Sequence, residues 1–197
     1  MALSDRARRL AVPLAAFVLG LGVLGSALVL TLAPQPTGSS GISASFSLVD
    51  QDGRPVTERQ FAGKPYLVFV GFTHCPDVCP TTLFQMSEVL RAAGEQGRDL
   101  RALFITVDPE RDRPDVLKSY LASFDERIRG LTGDPAAVAA ALKNLRAYSR
   151  KVPTKDGDYT MEHTAFVYLM DKAGRFVSTF SLDRAPAEAA RDLLKQL

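Results

Sequence analysis

PYLVFVGFTHCPDVCPTTLFQMSEVLRAAGEQ, residues 65–96, decides how this chain folds. Its first part, PYLVFVGF (65–72), is a near-continuous apolar run, as expected of a strand buried on both faces. From residue 83 the apolar positions Leu83, Met86, Val89, Leu90 and Ala93 recur at helical spacing through 96, with Gly97 as a stop, and Pro76 and Pro80 put the start of helix geometry around Asp77 to Pro80, with Cys79 in the first helical turn. Between strand and helix lies GFTHCPDVCP (71–80), with the only two cysteines of the chain, Cys75 and Cys79, and one of its two histidines, His74.

The same logic extends outward. RALFITVD (101–108) reads as a second buried strand and RPDVLKSYLASF (113–124) as a helix with Pro114 near its start. GDPAAVAAALKNL (133–145) is a third helix, with Asp134 as N-cap and Pro135 at the first helical position. TAFVYLMD and RFVSTFS flank a Lys-Ala-Gly turn and form an antiparallel hairpin, and APAEAARDLLKQL closes the chain as a helix. Upstream, ASFSLVDQDGRPVT (44–57) is a hairpin turning at Asp52-Gly53, and KVPTKDGDYT (151–160) reads as a flexible loop. After the first hairpin the order is β-α-β-α-α-β-β-α. Buried strands joined by helices pair in parallel and the late hairpin adds antiparallel strands, giving an α/β fold with a mixed sheet and helices on both faces. Function in such sheets gathers outside the carboxyl ends of strands, where the cysteine turn is placed.

The chain has 197 residues and a net charge of +2. Arg6, Arg8, Arg9 and Asp5 account for that excess, leaving 21 basic against 21 acidic residues from residue 10 onward. A neutral domain lacks the electrostatic footprint of a nucleic-acid binder. Residues 10–33, LAVPLAAFVLGLGVLGSALVLTLA, hold no charge and are long enough for a transmembrane anchor. A cleaved signal peptide would have a shorter apolar region. The preceding arginines place residues 1–9 in the cytoplasm by the positive-inside rule. PQPTGSSGIS (34–43) is a linker, and residues 44–197 form the water-soluble domain.

Three readings of Cys75 and Cys79 stand side by side. A structural disulfide would close a loop of about five residues and contribute about 2 kcal/mol, against about 4.7 for a hundred-residue loop. A redox pair is favoured by the helix N-terminus, whose dipole lowers thiol pKa. A metal site needs a further ligand. Two thiolates select soft or borderline ions, an iron–sulfur cluster wants four cysteines, and closed zinc wants four ligands. His163, in MEHTAF, could complete a three-coordinate site suited to copper, whereas His74 would point away from an extended turn. Met161 shares the face of His163 along an extended strand, though ordinary packing explains it equally. Asp108, Glu110, Arg111 and Asp112 follow the second strand as either a helix-capping turn or a docking or relay group around Asp108. Phe72 and Tyr159 are candidates to line the site.

GFTHCPDVCP, ITVDPERD (105–112) and EHTAFVYLMD (162–171), in that order behind one apolar span, closely resemble the Sco/SenC family of copper-handling proteins. The resemblance covers residues 44–197. It implies a thioredoxin-like fold with an N-terminal β-hairpin extension and one copper ion, Cu(I) or Cu(II), held by Cys75, Cys79 and His163. It implies a role in assembling the binuclear copper centre of cytochrome c oxidase subunit II, as copper donor, as thiol reductant of that subunit through Cys75 and Cys79, or both. A redox or copper sensor is the remaining alternative. The upstream copper donor and the thiol reductant are unspecified. The short N-terminal tail suggests a bacterial inner-membrane protein with its domain in the periplasm. Thioredoxins have two residues between their cysteines and a cis-proline nearby. Here there are three residues, and His163 stands in the proline's neighbourhood, both of which favour metal binding. Glu162 stands where Asp is more usual in the family.

Overall fold

The structure, a computed structural model, describes residues 41–196 and Gly22. The expected cytoplasmic tail 1–9, anchor 10–33 and most of the linker 34–43 lie outside the described residues. Among the described residues no helix is long and apolar enough to cross a membrane.

Nine strands and four α-helices follow one another in the described chain: β1 (Ser47–Asp50), β2 (Pro55–Thr57), β3 (Tyr66–Gly71), α1 (Val78–Ala92), β4 (Arg101–Thr106), α2 (Pro114–Leu121), β5 (Ile128–Thr132), α3 (Pro135–Asn144), β6 (Ser149–Pro153), β7 (Tyr159–His163), β8 (Val167–Met170), β9 (Phe176–Thr179) and α4 (Pro186–Leu194). Seven strands make one mixed sheet in the order β2-β1-β5-β4-β3-β8-β9, and β6 and β7 form a separate two-stranded sheet. β3, β4 and β5 are parallel, β8 runs antiparallel to β3 and β9 to β8, and β1 runs antiparallel to β5. The result is the mixed α/β, thioredoxin-like arrangement that the sequence implied, with the cysteine turn leaving the carboxyl end of β3.

Local chemistry accounts for most elements. Every residue of β3 is buried, as its unbroken apolar run requires. The first hairpin turns through Gly53, whose φ of +79° is a left-handed conformation that glycine adopts without strain. In α3 the Asp134 side chain accepts a hydrogen bond from the backbone N–H of Ala136 at 2.8 Å, with Pro135 at the helix start. α4 buries Ala189, Ala190 and Leu193 and packs against α1.

Three expectations need correction. The first helix starts at Val78 with Cys79 in its first turn, as the prolines imply, but it ends at Ala92 rather than 96: Gly94 has a φ of +54°, and Gly94–Gly97 continue as a 3-10 turn. A strand was not expected at 128–132, because IRGLT is short and interrupted by Arg129 and Gly130. Gly130 is there because α2 packs closely on β5: a Cβ at this position would lie 2.6 Å from Leu121 Cδ1. Residues 151–160 are a loop only over 154–158. That loop is the turn of the β6–β7 hairpin, whose strands take the flanking residues, Ser149 pairing with His163 and Pro153 with Tyr159. Neither strand buries a full face, so the sequence shows no two-residue period.

At the end of β3, Gly71 leaves room for two side chains, Phe104 and Cys79. A Cβ there would lie 2.7 Å from Phe104 Cε2 and 2.8 Å from Cys79 Sγ. Gly71→Ala is therefore expected to cost about 1–3 kcal/mol by overpacking. Urea unfolding measures this, and an unchanged midpoint would show that the Cys79 side chain can move aside freely.

Candidate metal centre

The chain leaves β3 through Phe72 and Thr73 and turns so that the N–H of Cys75 reaches the Phe72 carbonyl at 3.3 Å. Cys75 is half-buried on this turn, and Cys79 is fully buried in the first turn of α1. Both are free thiols. The Cys79 N–H, one of the amides a helix start leaves without an intrahelical partner, donates to Cys75 Sγ at 3.4 Å. Asp77 occupies the N-cap position, but its side chain caps nothing.

Burial pushes the Cys79 thiol well above the ordinary thiol range, and a backbone hydrogen bond from Phe72 only partly opposes it. The sequence expectation that the helix dipole lowers thiol pKa is thus reversed at Cys79. The macrodipole contributes at most about 2 kcal/mol in partly buried settings, and removal from water dominates.

His163 ends β7, and the fold swings it over the cysteine turn. Its Nε2 lies 3.7 Å from Cys79 Sγ. Its Nδ1 is 2.9 Å from the Thr164 carbonyl, which only accepts, so Nδ1 carries the proton and Nε2 presents a lone pair. The Phe72 ring stands edge-on to the imidazole at 5.7 Å. The ligand atoms of Cys75, Cys79 and His163 all lie within 4.8 Å of one another, a spacing at which one ion can touch all three. A backbone carbonyl fixing the far nitrogen is the usual outer partner of a metal-bound histidine.

His74 takes no part. Its ring is exposed, 3.1 Å from Thr73 Oγ1 and facing Asp112. Phe72 lines the site as expected. Tyr159 does not: its hydroxyl donates to Asp108 Oδ1 at 3.0 Å. Met161 shares the β7 face of His163 and is partly buried against the core. The helix-capping reading of Asp108 fails, since the N-cap of α2 is Arg113 and no side chain caps the helix. Asp108 is buried and holds Arg111 and Tyr159 instead.

Sequence reasoning named Asp112 only as one of the charged cluster after the second strand and missed what it holds. This fully buried carboxylate accepts hydrogen bonds from the Thr73 N–H at 3.0 Å, Thr73 Oγ1 at 2.6 Å and Thr106 Oγ1 at 2.6 Å. Burial pushes its pKa up while the two threonines pull it down. It ties the residue before the cysteine turn to the end of β4. The only sequence sign of it is a second acid four residues after Asp108.

A thioredoxin-like domain whose cysteine turn meets a histidine from a separate hairpin defines a class of soft-metal and thiol proteins. The SCO1/SenC family pattern matches residues 34–197, and the chain belongs to that family. It is 36% identical over 149 residues to an SCO2-like protein of Rickettsia felis, which covers 75% of this chain and 73% of that protein. Among solved structures, ScoI of Bradyrhizobium japonicum with copper bound superposes with a TM-score of 0.77 at 58% identity, covering 79% of this chain and 99% of that one. Yeast Sco1 with copper bound gives 0.71 at 37% identity, covering 78% and 87%. The Cys-Cys-His group here is one that could hold copper.

The unlike burial of the two thiols has a direct consequence. Thiolate is the alkylated form, and a thiol pushed up by burial stays protonated through neutral pH. In the reduced, metal-free chain at pH 7.5, iodoacetamide is expected to label Cys75 at least about ten-fold faster than Cys79. Labelling of Cys79 should grow as pH rises. Peptide mass spectrometry reads both, and equal labelling would contradict the burial of Cys79.

Proposed function

We propose that this chain is a membrane-anchored copper chaperone that carries one copper ion on Cys75, Cys79 and His163. It would deliver that ion to the binuclear copper centre of cytochrome c oxidase subunit II. The observation that carries the reading is His163: its Nε2 lone pair faces Cys79 Sγ at 3.7 Å while Nδ1 is committed to a backbone carbonyl. A thiol reductase has no need of such a ligand. Copper-bound relatives at 58% and 37% identity support the choice of ion.

Two thiolates and one imidazole form a soft set that favours Cu(I) and leaves room for an incoming ligand. The residues divide the work. Cys75, on the half-buried turn, is the thiol an acceptor reaches first. Cys79, protonated in its buried pocket, gives up its proton only as metal replaces it, so loading releases protons and weakens as pH falls. His163 closes the site from the hairpin side. In this reading residues 1–9 are cytoplasmic, residues 10–33 span a bacterial inner membrane, residues 34–43 are a tether and residues 44–197 work in the periplasm.

A second reading rests on the contrast between the cysteines, an accessible Cys75 and a buried Cys79. The Cys75 thiolate would attack a disulfide of subunit II and form a mixed disulfide. Cys79 would then release the partner as a dithiol, leaving Cys75–Cys79 oxidised by two electrons. Re-reduction needs an external dithiol, because the compartment is oxidising. The disulfide would abolish the metal site, so each molecule would serve one role at a time.

Titrating Cu(I) into the reduced full-length chain in mild detergent, against a competing chelator, separates the two. One tightly bound ion is expected. Cys75→Ala should abolish tight binding, and His163→Ala should weaken it at least about ten-fold, since even outer partners of metal ligands contribute that much. Weak binding indifferent to His163 would put the reductase first.

A further inference from the structure

The hairpin that carries His163 is nearly detached. β6 and β7 belong to their own two-stranded sheet, and beyond each other they make only slight contact with the remaining strands and helices. Side chains must therefore hold His163 over the cysteines. Apart from the contacts of His163 itself with Cys79 and Phe72 and the packing of Met161 against the core, they converge on the turn between β4 and α2.

Arg111 is the centre of that attachment. Its Nε donates to the buried carboxylate of Asp108. Its Nη1 donates to the backbone carbonyl of Tyr159 at 3.0 Å and lies 3.5 Å from Asp158 Oδ1. Its guanidinium also stacks on the Tyr159 ring, 3.7 Å from the centroid. The Tyr159 hydroxyl returns to the same Asp108 at 3.0 Å. Lys151 of β6 covers the ring at 4.1 Å and pairs with Glu110 of the turn at 2.8 Å. Tyr159, Met161 and His163 alternate onto one face of β7. The latch at Tyr159 thus pulls on the same strand face that presents the imidazole, four residues away.

We propose that Arg111, stacked on Tyr159 and paired with Asp108, is a positioning residue that latches the β6–β7 hairpin and so sets whether His163 stays on the metal. This rests on the copper-chaperone reading. With the latch closed the ion has three protein ligands. When it opens, the imidazole departs with the hairpin and the two thiolates hold the ion alone, exposing a coordination position to an acceptor. Lysine cannot replace Arg111 fully, because one ammonium cannot bridge carboxylate and carbonyl in a fixed fork while stacking on the ring.

The test uses the full-length chain in detergent and has two arms. Without metal, hydrogen–deuterium exchange of residues 149–163 is compared in wild type, Arg111→Ala, Arg111→Lys and Tyr159→Phe. Faster exchange confined to the hairpin is expected for Arg111→Ala, with smaller effects for the other two, while α1 and β3 stay unchanged. With Cu(I) loaded, release to excess bathocuproine disulfonate is timed for wild type, Arg111→Ala, His163→Ala and the double variant. Arg111→Ala should speed release at least about ten-fold, the effect of losing one strong charged contact. It should add nothing once His163 is gone.

Unchanged hairpin exchange in Arg111→Ala overturns the latch, as does a rate effect that persists in the His163→Ala background. Should Arg111→Ala loosen α1 and β3 as well, Tyr159→Phe, timed for copper release alone and combined with His163→Ala, decides by the same two criteria. If His163→Ala releases copper no faster than wild type, the copper reading fails, and the metal-free exchange still judges the latch.

Discussion

Asp112 is a carboxylate with no exposure to water, and the arrangement of the site depends on how it is satisfied. A buried charge is costly unless its oxygens find donors. Here three hydrogen bonds come from two threonines, Thr73 ahead of the cysteine turn and Thr106 at the end of β4. The same Thr106 hydroxyl accepts from the N–H of Asp108, which holds Arg111 and, through Tyr159, the hairpin. Residues 108–112 therefore grip the cysteine turn at one end and the histidine hairpin at the other. Two parts of the site, 84 residues apart in the chain, are set against each other by one five-residue turn.

That arrangement gives the thiols unlike chemistry. Cys75 sits half-exposed with the Cys79 amide pointing at its sulfur. Cys79 is enclosed beneath Gly71 and beside Phe104, in a pocket that favours the protonated thiol. A metal ion supplies the positive charge that such a pocket lacks and can displace the proton. An empty site is thus held in a neutral form that resists oxidation at one sulfur, since reactivity follows thiolate. The preset tautomer of His163 removes a further rearrangement before a metal can bind.

Much of this was legible in the sequence where burial is complete. β3 and β4 announce themselves as unbroken apolar runs, and the turns at Gly53 and Asp134-Pro135 follow from backbone chemistry. The three candidate ligands could be named from the cysteine turn and the later Glu-His-Thr. Illegible were the features that exist only between segments. β5 is a strand because Gly130 lets Leu117 and Leu121 close over it, which no local pattern encodes. The β6–β7 hairpin buries no complete face and so shows no period. The raised Cys79 pKa and the partnership of Asp108 with Tyr159 arise from enclosure and from contacts 51 residues apart.

Copper K-edge X-ray absorption on the Cu(I)-loaded, full-length chain tests the three-ligand site most directly. Two sulfur scatterers and one imidazole nitrogen, with the imidazole signature absent in His163→Ala, are the expected result. A sulfur-only shell, or an imidazole signal unchanged by His163→Ala, would contradict a site built from Cys75, Cys79 and His163.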